Sequence, residues 1–236
     1  MSIVTPSEAR PPAIVARGLH KHYGTAHALR GVDVEITRGE IVAIMGPSGS
    51  GKSTLLHSLA GVIAPDAGEV RVGDTVISAL DEAGRARFRL TRLGFMFQFG
   101  QLLPELTAED NVALPLMLAG MKRKSALVQA HEWLDRLELG GFAKRLPAEL
   151  SGGQAQRVAL SRALVTSPEV LFADEPTGAL DSLTAEKVMQ TLTEVVRTTG
   201  TTLILVTHDG RVASYSDREI FIRDGLVLDP AAAGAR

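Results

Sequence analysis

Three glycines, a lysine and a hydroxyl fall along Gly46-Pro47-Ser48-Gly49-Ser50-Gly51-Lys52-Ser53 at the spacing a phosphate cradle needs. Glycines so placed let backbone N–H groups wrap the α- and β-phosphates of a nucleotide. Lys52 would then reach the β- and γ-phosphates, and the Ser53 hydroxyl would ligate Mg²⁺. Thr54 follows in the same turn and is counted with the nucleotide-binding residues. The plainer alternative is a glycine turn with a solvated lysine. Against it stand an apolar strand, Ile41-Val42-Ala43-Ile44-Met45, directly before the loop and a helix from Lys52 to Leu59 directly after it. Further along, Leu150-Ser151-Gly152-Gly153-Gln154 is a second glycine-rich turn that opens a helix. Alone it reads as a helix N-cap with a flexible lead; beside the first loop it reads as a second contact to the same nucleotide.

Carboxylates complete the set. Val170-Leu171-Phe172-Ala173 is an apolar strand ending in Asp174 and Glu175, and parallel strands present their C-terminal ends to ligands. Asp174 suits an outer Mg²⁺ ligand of a phosphate-loop enzyme, and Glu175 is placed to orient and deprotonate the attacking water. Without the loop, adjacent acids would as readily end a strand in a solvated turn. His208 follows the strand Leu203-Ile204-Leu205-Val206, where its strand-end position favours a γ-phosphate contact over the structural role usual for a lone histidine. Gln98, after Gly94-Phe95-Met96-Phe97, is a third strand-end polar group within reach of Mg²⁺ or the water, and alone would count for little.

These residues need a scaffold. Ile14 to Leu19, Ala28 to Ile36 and Glu69 to Val76 read as antiparallel strands around the loop strand, the second alternating apolar residues at Val32, Val34 and Ile36. Asp81 to Arg92, Thr107 to Ala119 and Arg123 to Leu139 read as helices. Gln154 to Thr166, the strand Val170 to Ala173, Leu183 to Thr198 and the strand Thr202 to Val206 then alternate helix with strand, which implies a parallel sheet. Residues 1–12 read as a disordered lead rather than a signal peptide, and 231–236 as a frayed tail.

Composition excludes other classes. The 236 residues carry a formal charge of -2 with both signs dispersed, so no basic field holds a nucleic-acid backbone and no nucleic-acid partner is expected. There is no cysteine, which removes disulfides, thiolate metal sites and a cysteine nucleophile. With 45% hydrophobic residues the chain can bury a sizeable core, yet its apolar runs, such as Val112 to Ala119, are too short to span a bilayer.

In order and spacing, Gly46 to Ser53, Gln98, Leu150 to Gln154, Asp174 with Glu175, Ala179-Leu180-Asp181 and His208 resemble the ATP-binding cassette (ABC) family over nearly the whole chain. The resemblance implies an α/β phosphate-loop NTPase fold, with a parallel-sheet core, an antiparallel β-subdomain and a helical signature subdomain at about 99–165, all within a single ATPase domain over 13–230. It implies ATP and Mg²⁺ as cofactors and Tyr23 as the aromatic that stacks on adenine, where the alternative is a surface tyrosine. It also implies a head-to-tail dimer. In that dimer Ser151, Gly152 and Gly153 close on the γ-phosphate held by the loop of the other subunit, and Gln154 and Asp181 are counted with the nucleotide-binding residues.

A finer resemblance rests on Phe97 to Pro104, Leu106 to Val112, Leu114-Pro115-Leu116 and Ala173 to Ser182. These are similar to the branch serving lipoprotein release, macrolide and antimicrobial-peptide export, haem export and cell-division signalling. Gly100-Gln101 departs from that branch's usual Q-loop wording. The branch implies an integral membrane permease as partner, a homodimer of ATPase subunits in a 2:2 complex, and a place on the cytoplasmic face of the inner membrane. It implies that Gln98 to Asn111 receives a short helix of that permease. Leu102, Leu103 and Leu106, apolar in an aperiodic loop, support the docking reading; the alternative is that they tuck onto the helical core. A mechanotransmission ATPase and a soluble iron–sulfur-assembly ATPase remain as other functions.

Overall fold

A computed structural model describes residues 11–97 and 102–228. The expected lead and tail therefore fall almost entirely outside the described residues, as does Gln98. Two sheets carry the chain. The first is antiparallel, in the order β2-β1-β4-β5, from β1 (Pro12–Tyr23), β2 (Ala26–Thr37), β4 (Ala67–Val72) and β5 (Thr75–Val76). The second has the order β10-β9-β3-β8-β7-β6, from β3 (Ile41–Met45), β6 (Leu93–Met96), β7 (Val170–Asp174), β8 (Thr202–Val206), β9 (Arg218–Arg223) and β10 (Leu226–Leu228). Its strands are parallel except β10, which returns antiparallel on β9.

The near-continuous apolar runs of β3, β7 and β8 have their cause in this arrangement, because their sheet is covered on both faces. Val42, Ile44, Val170, Phe172, Ile204 and Val206 point toward the antiparallel sheet and helix α1 (Lys52–Leu59). The alternate residues Ile41, Leu171, Ala173, Leu203 and Leu205 point into a second core with α3 (Ala108–Leu118), α4 (Arg123–Arg136), α5 (Gly152–Leu164) and α6 (Ser182–Thr199). Helix α2 (Glu82–Arg92) buries no residue fully, and the short α7 (Gly210–Ala213) follows β8.

Several expectations are corrected. The antiparallel strands do not pair with the loop strand; β3 lies between β8 and β9, and the antiparallel sheet stacks over it. Glu69 to Val76 is two strands, because Gly73 takes a left-handed φ of 53° and turns the chain. The helix expected to reach Leu139 stops at Arg136, where Glu138 adopts φ 58°. The signature helix starts at Gly152 with Ser151 as its N-cap, two residues before the expected Gln154.

Helix α3 opens on a buried charge. Thr107 caps it, and Glu109 in its first turn is 2% exposed, bonded to the exposed Lys144 and, at 2.6 Å, to His131. Burial pushes the Glu109 carboxyl up, but hydrogen bonds from Lys144 and His131 outweigh it and hold the carboxyl below its usual value. A carboxylate with a depressed folded-state pKa contributes stability above its unfolded value, and that stability is lost as pH falls through the folded one. Lys144→Met is therefore expected to cost about 1–3 kcal/mol near neutral pH, with the deficit shrinking below about pH 4. Urea denaturation at both pH values checks it; an equal deficit at both would show that Lys144 acts through packing instead.

Candidate functional site

Parallel register puts the chemistry on one edge. Ile44 on β3 pairs with Val206 on β8, and Val206 pairs with Asp174 on β7. The next residues of those three strands open the phosphate loop at Gly46, reach His208, and reach Glu175. Strand β6 pairs in parallel with β7 and ends at the same edge.

The loop is held by close backbone approaches. Gly46 has φ 148°, and a Cβ there would lie 2.0 Å from the Ile222 carbonyl oxygen; at Gly51, φ 106°, it would lie 2.4 Å from that of Ala28. Neither position admits a side chain, so β9 and β2 set the loop's path. Gly51 is the N-cap of α1 and supplies no side chain to the helix's first N–H groups. Those donors and the helix dipole converge where Lys52 stands. Lys52 Nζ donates to the Gly46 and Pro47 carbonyls, each at 2.9 Å, which folds the ammonium onto the loop it would share with a phosphate. Ser50 Oγ is buried and, among the described residues, has no hydrogen-bond partner. Uncapped N–H groups, an ammonium held only by carbonyls and an orphaned hydroxyl together fit a polyphosphate.

The carboxylates follow. Burial pushes the Asp174 carboxyl above its usual value; His57, Ser53 and Lys52 act against this, and the neighbouring Glu175 with it. The Ser53 hydroxyl stands close enough to Asp174 to act on its carboxyl. A hydroxyl beside a carboxylate at the phosphate loop is a hard-oxygen donor set of the kind Mg²⁺ takes, with phosphate oxygens and water filling the remaining positions. Among the described residues no group of three His, Asp or Glu side chains could hold a metal alone.

Glu175 has φ 46°, a left-handed conformation uncommon for a non-glycine residue, fixed by its N–H donating to the Val206 carbonyl at 2.8 Å. Its side chain is one-fifth exposed, and His208 Nδ1–H donates to Glu175 Oε1 at 2.6 Å. The histidine thus meets the carboxylate at the same strand edge where its γ-phosphate contact is expected. Tyr23 ends β1 and is 53% exposed, the Lys21 ammonium 5.8 Å from its ring centroid.

The second glycine turn is built differently. Ser151 N donates to Gln154 Oε1 at 2.8 Å, and Gln154 N to Ser151 Oγ at 3.3 Å, a reciprocal capping box at the start of α5. A Cβ on Gly153 would lie 2.7 Å from Thr184 Cγ2, so the turn packs against α6. Asp181 caps that helix, accepting from Thr184 N at 3.0 Å, and hydrogen bonds from Thr184 hold its carboxyl below its usual value. Ser151, Gly153 and Gln154 line a groove with Arg157, Thr184 and Lys187 that includes no residue of Gly46–Ser53. Within one chain the turn therefore faces its own groove.

Sequence reasoning missed Gln156, buried in α5, whose Nε2 donates to the Pro176 carbonyl just past Glu175. It ties the signature helix to the carboxylate strand, and only its position at helical spacing from Gly152 could have hinted at this. Of the loop leucines, Leu102 packs against the helical core and Leu103 is 42% exposed. The buried Asn111 holds this segment through the Leu103, Leu106 and Thr107 carbonyls.

A family model described as ABC transporter matches residues 29–178. The lipoprotein-releasing system ATP-binding protein LolD of Porphyromonas gingivalis is 45% identical over 215 residues, 91% of this chain and 98% of its own. That of Xylella fastidiosa is 45% identical over 97% of each chain. Among solved structures, a dimeric ATP-binding cassette in a post-hydrolysis state with ADP and Pi is 41% identical. It superposes with a TM-score of 0.83 over 92% of this chain and 97% of that one.

Proposed function

This chain belongs to the ABC transporter ATP-binding family, and we propose that it is the ATPase subunit of a lipoprotein-releasing transporter, driving a separate membrane permease. Binding and hydrolysis of ATP are its activity. The observation that carries the reading is the meeting, on one sheet edge, of an uncapped helix N-terminus, Lys52, the Ser53–Asp174 pair and the Glu175–His208 pair. Gly46 to Thr54 would wrap the phosphates, and Tyr23 would stack on the base. Lys52 would leave the Gly46 and Pro47 carbonyls for the β- and γ-phosphates. Mg²⁺, held by Ser53 with Asp174 behind it and Gln98 nearby, would neutralise charge on the phosphate oxygens.

Glu175 would take the proton of the attacking water, with His208 holding its carboxylate in line. Ser151 to Gln154 and Asp181 would complete the site of a second copy in a homodimer. Transition-state charge would then be met only once two subunits close. No helix among the described residues is long and apolar enough to cross a membrane. The membrane span would come from a permease of the lipoprotein-release type in a 2:2 complex at the cytoplasmic face.

Reconstitution with the permease tests this. ATP-dependent release of a labelled lipoprotein from proteoliposomes is expected. Hydrolysis stimulated by the permease without release would favour the mechanotransmission reading, and an ATPase that ignores the permease would sink the transporter reading.

A further inference from the structure

Most buried polar side chains on the helices bond locally. Ser58 Oγ donates to the Thr54 carbonyl at 2.8 Å and Ser161 Oγ to the Arg157 carbonyl at 3.0 Å, each within its own helix, while Asn111 holds the loop just before α3. Gln156 reaches further. It stands on α5, 8% exposed and one turn past Gly152, and its Nε2 donates across to the Pro176 carbonyl. A carbonyl only accepts, so the amide nitrogen is the atom that must face it. Pro176 is itself buried, and Gln156 gives its carbonyl a donor where a lost one would be costly.

The residue before that proline is Glu175. A residue preceding proline favours extended backbone, and a left-handed φ is uncommon outside glycine, yet Glu175 holds φ 46°. Such a conformation persists only where its surroundings over-determine it. Here it is fixed from both sides: the Glu175 N–H donates to the Val206 carbonyl at 2.8 Å, the Glu175 carbonyl accepts from Gly178 N at 3.1 Å, and the Pro176 carbonyl accepts from Gln156. Proline's ring locks its own φ, so a hold on the Pro176 carbonyl is felt at residue 175 with little slack.

We infer that Gln156 is a positioning residue for hydrolysis: by holding the Pro176 carbonyl it keeps Glu175 left-handed, and so keeps the carboxylate against His208 and in line with the attacking water. The inference rests on the reading of Glu175 as the base. It adds that a side chain of the helix opened by the second glycine turn acts on the base of its own chain. That helix meets the same segment again further on, where a Cβ on Gly152 would lie 3.0 Å from Leu180 Cδ2. Of these two contacts, Gln156 is the one next to the base. If the bond served only to satisfy a buried carbonyl, its loss would lower stability and leave turnover per folded molecule alone.

Gln156→Met is close in volume and removes the donor. In the purified complex with the permease it is expected to lower kcat about tenfold to a hundredfold, the size of a small misplacement of a catalytic group, while the KM for ATP stays as in wild type. Combined with Glu175→Gln it should add nothing to the loss that Glu175→Gln already causes, because a residue acting through the base has nothing left to act on. Ser161→Ala is the control. It removes another buried polar group of the same helix, bonded within α5, and is expected to lower the urea midpoint without lowering kcat. A crystal structure of Gln156→Met is expected to show Glu175 in extended backbone with its bond to His208 lost.

A Gln156→Met complex with wild-type kcat would overturn the assignment, as would losses that multiply in the double variant. So would a Gln156→Met structure in which Glu175 is still left-handed and bonded to His208. An equal fall in kcat in Ser161→Ala would trace both effects to the helix's stability and reject the positioning role. Wild-type turnover by Glu175→Gln would remove the base reading itself, whereas a slow Glu175→Gln beside an unimpaired Gln156→Met sinks the positioning inference alone. Should Gln156→Met not fold, Gln156→Asn, whose amide stops one methylene short of the carbonyl, is measured in the same way. It is expected to show the same split, kcat lowered and KM unchanged, and a wild-type kcat there would overturn the inference.

Discussion

Glu175→Gln is expected to bind ATP and to turn it over about 10²–10⁴-fold more slowly, accumulating as an ATP-bound dimer. The substitution is close to isosteric. Glutamine keeps an Oε1 that can accept from His208 Nδ1–H, and the left-handed backbone at this position, fixed by the bond to the Val206 carbonyl, is untouched. The phosphate loop, Lys52 and the Ser53–Asp174 pair stay as they are, so ground-state binding survives while proton abstraction is lost. Hence the defect belongs in turnover rather than in nucleotide affinity. Phosphate release from the purified complex, with gel filtration in ATP, measures both. Steady-state turnover near wild type would remove Glu175 as the base; a matching fall in ATP affinity would make it a binding residue instead.

The residues of this site were legible in the sequence where phosphate chemistry demands particular types in one contiguous run. Gly46 to Ser53 is such a run, since no other residue fits at Gly46 and Gly51 against the Ile222 and Ala28 carbonyls. Asp174 and Glu175 were legible because an apolar strand ends on them. What could not be read was long-range. That β3 lies between β8 and β9, with the antiparallel strands stacked over it, depends on pairings between residues more than a hundred positions apart, such as Ile41 with Leu203. Periodicity identifies a strand without naming its partner.

Strand β9, whose Ile220 and Ile222 are buried, passed unnoticed because Arg218-Glu219-Ile220-Phe221-Ile222-Arg223 carries charge at both ends. Lys52 folded onto its own loop and Gln156 reaching Pro176 are facts about partners, and a residue type alone does not announce whether it has one.

Ser151→Arg is expected to leave ATP binding by each subunit intact and to abolish hydrolysis. Ser151 is exposed at the head of α5, and its turn faces a groove with no residue of the chain's own phosphate loop. If it serves a neighbour's γ-phosphate, a long cation there blocks closure without touching the nucleotide held in cis. The arginine also removes the N-cap hydroxyl, worth about 1 kcal/mol, so Ser151→Ala is the control; it loses the cap but leaves the turn open. Alanine should retain much of the turnover that arginine destroys. Equimolar mixing of Ser151→Arg with Lys52→Ala then separates cis from trans. Each mixed dimer has one composite site with both lesions and one with neither, and half of the dimers are mixed, so independent sites would restore roughly a quarter of wild-type activity. No restoration with dimers formed would mean that the two sites must fire together. Normal hydrolysis by Ser151→Arg alone would end the shared-site reading, because a turn that tolerates an arginine is not pressed against a phosphate.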